Sequence, residues 1–120
     1  FDNDAKQDIL QRNFSTGGVR LANSGGNPSM LQNMDINWSV ISTADFTGDS
    51  KADIFWRNMS TGETRVWEMN GANIAFNSVT YRGTNTRTVA SNSWQVISTA
   101  DFTGDNKADI LWRNSSTGET

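Results

Sequence analysis

"DFTGDSKADIFWRN" (Asp45–Asn58) and "DFTGDNKADILWRN" (Asp101–Asn114) are nearly the same fourteen residues written twice. They lie inside longer matching stretches, Trp38–Thr64 and Trp94–Thr120, offset by 56 residues. The copies differ at Ser39/Gln95, Ser50/Asn106, Phe55/Leu111 and Met59/Ser115. An offset of 45 lays the N-terminal "FDNDAKQDILQRNFSTG" over "FTGDSKADIFWRNMSTG", keeping Phe1, Asp4, Lys6, Asp8, Ile9, Arg12 and Asn13. A unit of about 45–56 residues therefore occurs three times, a period that belongs to repeat architectures.

Within a unit the pattern is β. "WSVISTADF" alternates, which predicts Val40, Ser42, Ala44 and Phe46 on one face and Ile41 and Thr43 on the other. "ADIFWRN" carries large apolar residues at successive positions, as a strand buried on both faces does. "TRVWEMN" follows the turn "STGE", and "IAFNSVTYR" follows the hairpin signal Asn70–Gly71. Helical periodicity is missing. Each full unit supplies four short antiparallel strands, so the expected fold is all-β, built from β-propeller blades. The boundaries read as a partial first blade over 1–37, starting inside its aspartate loop, and a complete blade over 38–93 with an extended loop at 81–92. The first half of a third blade follows over 94–120. That is about two blades' worth of strands, whereas a closed propeller has about 4–8 blades. The expected partners are neighbouring blades, from the rest of a longer parent chain or from identical chains, because open blade faces and strand edges seek cover.

Composition narrows the chemistry. The chain has no cysteine and no histidine, which excludes disulfides, thiol catalysis and histidine-based zinc sites. It also removes the commonest general base. A net charge of −3 argues against a nucleic-acid partner, which favours a basic face. No apolar run approaches the length of a spanning helix, so no membrane insertion is expected.

The acid is concentrated in the repeat. Asp45, Asp49 and Asp53 recur as Asp101, Asp105 and Asp109, and Asp2, Asp4 and Asp8 crowd the N-terminus. Oxygen donors at alternate loop positions suit a hard cation such as Ca²⁺, which takes six to eight oxygen ligands. Without a cation, two carboxylates about 5 Å apart repel by roughly 3 kcal/mol at an effective dielectric near 20. Asp and Asn also make turns and cap backbone amides without any metal. Two positions depart from a strong calcium loop: Thr47 or Thr103 stands third, and Ser50, Asn106 or Ala5 stands sixth, where glycine eases the bend.

The pattern "DFTGDxKADIxWRN" resembles the FG-GAP/VCBS-type repeat of integrin-alpha-like β-propellers and of many bacterial secreted and surface proteins. The resemblance implies a propeller blade with Ca²⁺ in the loop between its first two strands, and an extracellular or cell-surface setting. Carried over by position, the ligands are Asp45, Thr47, Asp49, the Lys51 carbonyl and Asp53, then Asp101, Thr103, Asp105, the Lys107 carbonyl and Asp109. The N-terminal copy would use Asp2, Asp4, Lys6 and Asp8.

Trp56-Arg57-Asn58 recurs as Trp112-Arg113-Asn114. The set has the makings of a sugar platform, with the aromatic face stacking on a pyranose and the amide bonding hydroxyls. It equally suits packing between blades, since Trp56 shares a strand face with Ile54. The leading expectation is a non-catalytic, calcium-stabilised extracellular segment for adhesion, binding or scaffolding. The alternatives are a glycan-binding lectin with sites between blades and the non-catalytic part of a secreted carbohydrate-active enzyme. Glycans and extracellular proteins are the ligands expected.

Overall fold

The computed structural model describes residues 1, 6–22, 29–71, 73–78 and 92–120. Among these there is no helix, and nine strands form three antiparallel sheets. The first sheet orders β1 (Ile9–Arg12), β2 (Val19–Ala22) and β3 (Ser29–Met30). The second holds β4 (Trp38–Ala44), β5 (Asp53–Asn58), β6 (Thr64–Asn70) and β7 (Asn73–Ser78) in sequence order. The third pairs β8 (Trp94–Ala100) with β9 (Asp109–Asn114). This is the all-β, blade-like architecture that the turn spacing predicts. The extended loop expected at 81–92, with Arg82 and Arg87, lies outside the described residues except for Asn92.

The sheets are joined by side chains, face to face, in two apolar layers. Between the first and second sheets, Val19, Leu21 and Met34 pack with Trp38, Ile54, Trp56, Trp67 and Met69. Between the second and third, Phe46, Phe55 and Val66 pack with Ala108, Val96, Ile110 and Trp112. The second sheet is therefore filling on both sides, and β5 is buried from Asp53 through Arg57. Burying each such large apolar side chain is worth about 1.5–3 kcal/mol, so most of the folding drive is concentrated around this sheet. Near one edge of the stack, the Ser42 and Thr99 hydroxyls bond to each other between β4 and β8.

One part of the expected alternation is corrected. A β-bulge interrupts the β4–β5 register between Val40 and Ser42, so Val40 lies opposite Trp56 while Ser42 lies opposite Phe55. The extra residue moves Val40 and Ser42 to different faces. Ile41 and Ala44 consequently pack toward the third sheet, and Val40 toward the first. The same bulge recurs in β8 between Val96 and Ser98. Strict period-2 reading fails at this position because one residue is inserted without a partner.

Candidate functional site

Each aspartate loop is first of all a web of backbone amides. Asp45 Oδ1 accepts from Gly48 N–H at 2.6 Å and Asp49 N–H at 3.2 Å, and its Oδ2 accepts from Ser50 N–H at 2.8 Å. The Thr47 hydroxyl donates to the same Asp45 Oδ1 at 3.3 Å. Asp101 repeats the pattern with Gly104, Asp105 and Asn106 at 2.6, 3.1 and 2.9 Å. Asp49 and Asp105 each accept from the N–H two residues on, at Lys51 and Lys107. The chain can follow this path because the sixth position adopts a left-handed conformation, with φ of 67° at Ser50 and 64° at Asn106.

That conformation strains serine more than asparagine, whose short amide tolerates it. Ser50→Asn is expected to stabilise the chain by about 0.5–1 kcal/mol, and Asn106→Ser to destabilise it by a similar amount, on the scale of left-handed penalties. Urea unfolding of both variants checks this. Equal midpoints for all three proteins would contradict it.

The third aspartate of each loop has a different task. Asp53 is fully buried. Its Oδ2 accepts from Phe46 and Thr47 N–H at 3.0 and 3.2 Å, and its Oδ1 from Met69 N–H at 3.0 Å. Asp53 thereby ties the loop to β6. Burial pushes its carboxyl up to about 6, outweighing the three amides that favour the anion, while Asp49 adds to the rise. Asp109 accepts from Phe102 and Thr103 N–H at 2.9 and 3.0 Å and is only half-buried.

Geometry separates the two loops. One oxygen each from Asp101, Asp105 and Asp109 lies within 4.8 Å of the others, and among the described residues this is the only acidic group so arranged. In the 45–53 loop, Met69 N–H holds Asp53 Oδ1 in the sheet, and no equally tight trio forms. Three convergent carboxylates, exposed or half-buried, are a hard-oxygen donor set that fits Ca²⁺. At Asp101 slight desolvation works against the anion, but N–H groups of Asn106, Gly104, Asp105 and Thr103 lower its pKa below the usual carboxylate range. It stays ionised in mild acid. Of the N-terminal copy, Asp2 and Asp4 lie outside the described residues. Lys6 is exposed, and Asp8 Oδ2 accepts from the Phe1 ammonium at 3.0 Å.

The loops of the second and third sheets also touch. Ala108 N–H donates to the Asp45 carbonyl at 2.7 Å. A Cβ on Gly48 would lie 3.1 Å from Lys107 Cγ, so the lysine stem runs where a side chain would otherwise stand. Together they line a cleft of about 560 Å³ that includes Asp45, Ser50, Asp101, Asn106 and Lys107. Lys51 reaches within its own sheet, donating to Asn70 Oδ1 at 2.8 Å.

The sugar platform expected from Trp56, Arg57, Asn58, Trp112, Arg113 and Asn114 is not brought together. Successive strand residues point to opposite faces, so Arg57 leaves the face that Trp56 occupies, and Asn58 is taken up by the following turn. Trp56 is fully buried between the first two sheets, with the Arg12 guanidinium 5.1 Å from its ring centre and Trp67 at 4.8 Å. It has no open face for a pyranose. Arg57, 4% exposed, points the other way and lies 4.9 Å from the Trp112 ring centre, while the Phe55 and Trp112 ring centres lie 6.5 Å apart with the rings nearly perpendicular. Burial pulls the Arg57 pKa down from the ordinary guanidinium value. Asn58 Oδ1 is taken by the N–H groups of Ser60 and Thr61, at 2.9 and 3.1 Å. Asn114 does the same with Ser116 and Thr117. Arg113 remains exposed. Sequence reading missed the contacts of Gly48, Lys107 and Ser42 with neighbouring sheets. The signal for Ser42 and Gly48 was the retention of "ISTADFTGD" residue for residue in both copies, and for Lys107 the lysine kept at the same place as Lys51.

Among characterised proteins and among solved structures, none matches the chain. The FG-GAP-like repeat family matches residues 45–112, which contain both aspartate loops, β5 to β7 of the second sheet and most of the third sheet. On that match over more than half of its length, the chain belongs to the FG-GAP-like repeat family.

Proposed function

We propose that the chain is a non-catalytic, calcium-stabilised propeller segment that works outside the cell as a binding or scaffolding surface. Its repeat units on this reading span 1–37, 38–93 and 94–120. The observation that carries it is the convergence of Asp101, Asp105 and Asp109 within 4.8 Å in a loop whose sixth residue is left-handed. These three side chains would hold the ion, which supplies two positive charges where three carboxylates otherwise repel. Asp101 contributes while its backbone amides fix its orientation. Asp105 is exposed and turns toward the same point, and Asp109 links the loop to β9. An extracellular setting agrees with the site's modest donor set, since extracellular calcium modules work with Kd of about 10⁻⁴–10⁻³ M.

Ca²⁺ at 10 mM is expected to stabilise the chain by about 1.5–2.7 kcal/mol if Kd lies in that range. This corresponds to a rise of roughly 6–12 °C in Tm over the same protein in chelator. Asp105→Asn should remove most of that rise while leaving the chelator Tm nearly unchanged. Scanning calorimetry with and without EDTA provides the measurement. A Tm indifferent to chelation would leave these loops as amide-capped turns.

A further inference from the structure

We infer that the outer face of the third sheet is a docking surface for one more sheet of this repeat, selected by a tryptophan that Arg113 clamps. The inference rests on the blade reading and is independent of the ion. The covered face of the second sheet shows what such a surface does. There Ile41, Phe46 and Phe55 bury against the third sheet, and Arg57 lies over Trp112. One sheet earlier the arrangement is the same, with Leu10 in the apolar layer and Arg12 lying over Trp56. The rule is directional: the arginine of one sheet stacks on the tryptophan of the next.

The third sheet carries the receiving half of this joint in the same register. Ile97, Phe102, Leu111 and Arg113 stand where Ile41, Phe46, Phe55 and Arg57 stand. Ile97 and Phe102 are 54% and 56% exposed, whereas Phe46 is fully buried. Leu111 matches Leu10, which packs against the apolar layer that contains the clamped Trp56. Two features that are not apolar agree. A Cβ on Gly104 would meet nothing within 4 Å, although Gly48, its counterpart, is crossed by the Lys107 stem. Ser98, counterpart of the Ser42 that bonds Thr99, is exposed. A site for a lysine stem and a site for a hydroxyl are thus both in place.

The occupant is a repeat sheet with tryptophan at the place of Trp112, not the first sheet of a second copy. At the matching position the first sheet has Gln11, although it keeps Ile9 at the place of Ile110 and Lys6 at the place of Lys107. Amide in place of indole removes the ring that the guanidinium covers. Cation–π contacts that are desolvated contribute enough to decide between partners.

The chain itself supplies the test. Gln11→Trp gives the first sheet the missing ring, and sedimentation equilibrium reads head-to-tail association against concentration. The variant is expected to associate at least about tenfold more tightly than the native chain, from the free energy of a buried cation–π contact. Adding Arg113→Ala should return it to the native value. Arg113 is exposed and in no core layer, so that second change leaves the fold intact, as far-UV circular dichroism would show. Native-level association of a folded Gln11→Trp chain overturns the inference, and so does a gain that survives Arg113→Ala. Tight association of the native chain through Gln11 would overturn the tryptophan requirement. None of these outcomes depends on calcium, so a failure here is distinct from a failure of the calcium reading.

Discussion

Asp53→Ala is expected to destabilise the chain by about 4 kcal/mol at pH 4.5 in the presence of chelator. The substitution leaves the N–H groups of Phe46, Thr47 and Met69 facing a void inside the protein. Each unsatisfied buried donor costs about 1–3 kcal/mol. The pH dependence sharpens the test. Because the folded carboxyl is raised to about 6, the native state holds a proton that the unfolded chain releases near 4. Stability from this group is full below pH 4 and is lost as pH rises to about 6, a fall of roughly 3 kcal/mol. Asp53→Ala lacks that titration. About 1 kcal/mol of that fall is already spent at pH 4.5, so the gap between the two proteins should narrow to about 2 kcal/mol at pH 7, by the same linkage. Guanidinium unfolding of both at several pH values measures the gap directly and cancels the other carboxylates. A gap that widens with pH would mean that Asp53 folds as a favoured anion and that its burial has been overrated.

Gly17→Ala is expected to cost about 3–5 kcal/mol, combining a left-handed penalty with a backbone collision. Gly17 has φ of 76°, and a Cβ there would lie 2.4 Å from the Met34 carbonyl oxygen. Neither group can yield cheaply. Met34 N–H donates to the Gly17 carbonyl at 2.9 Å, and the Met34 carbonyl accepts from Arg12 Nη2 at 3.1 Å. Arg12 also donates to the Asp35 carbonyl and lies over Trp56, so the collision is transmitted to the joint between sheets. Gly118 is the natural control, with φ of 75° and nothing within 4 Å of a Cβ. Gly118→Ala should cost only about 1–2 kcal/mol, the conformational part alone. Equal losses in the two variants would show that the Met34 contact relaxes freely.

The fold was legible because its signals are local and repeated. Turn residues at Asn58–Gly62 and Asn70–Gly71 delimit strands whose apolar content marks which are covered on one face and which on two. What resisted reading was the bulge at Ile41, since inserting one residue leaves no trace in composition yet reverses the faces beyond it. The aspartate loops were half legible. Spacing placed the acids in one turn, but it did not show that Asp53 would be drawn into the sheet by Met69 while Asp109 stays near Asp101 and Asp105. Trp56-Arg57-Asn58 shows the opposite difficulty. Its repetition suggested one site, whereas simple strand alternation already sends Arg57 to the face opposite Trp56, and the turn claims Asn58.

The double burial of β5 constrains how the chain can change. A residue such as Phe55 meets Trp112 of the following unit, and Trp56 beside it meets Arg12 of the preceding one. A larger or smaller side chain at either place is tolerated only when a different unit alters its own in compensation. Drift within one copy is thus disciplined by the others, and near-identical wording across units is preserved by fit as much as by common descent.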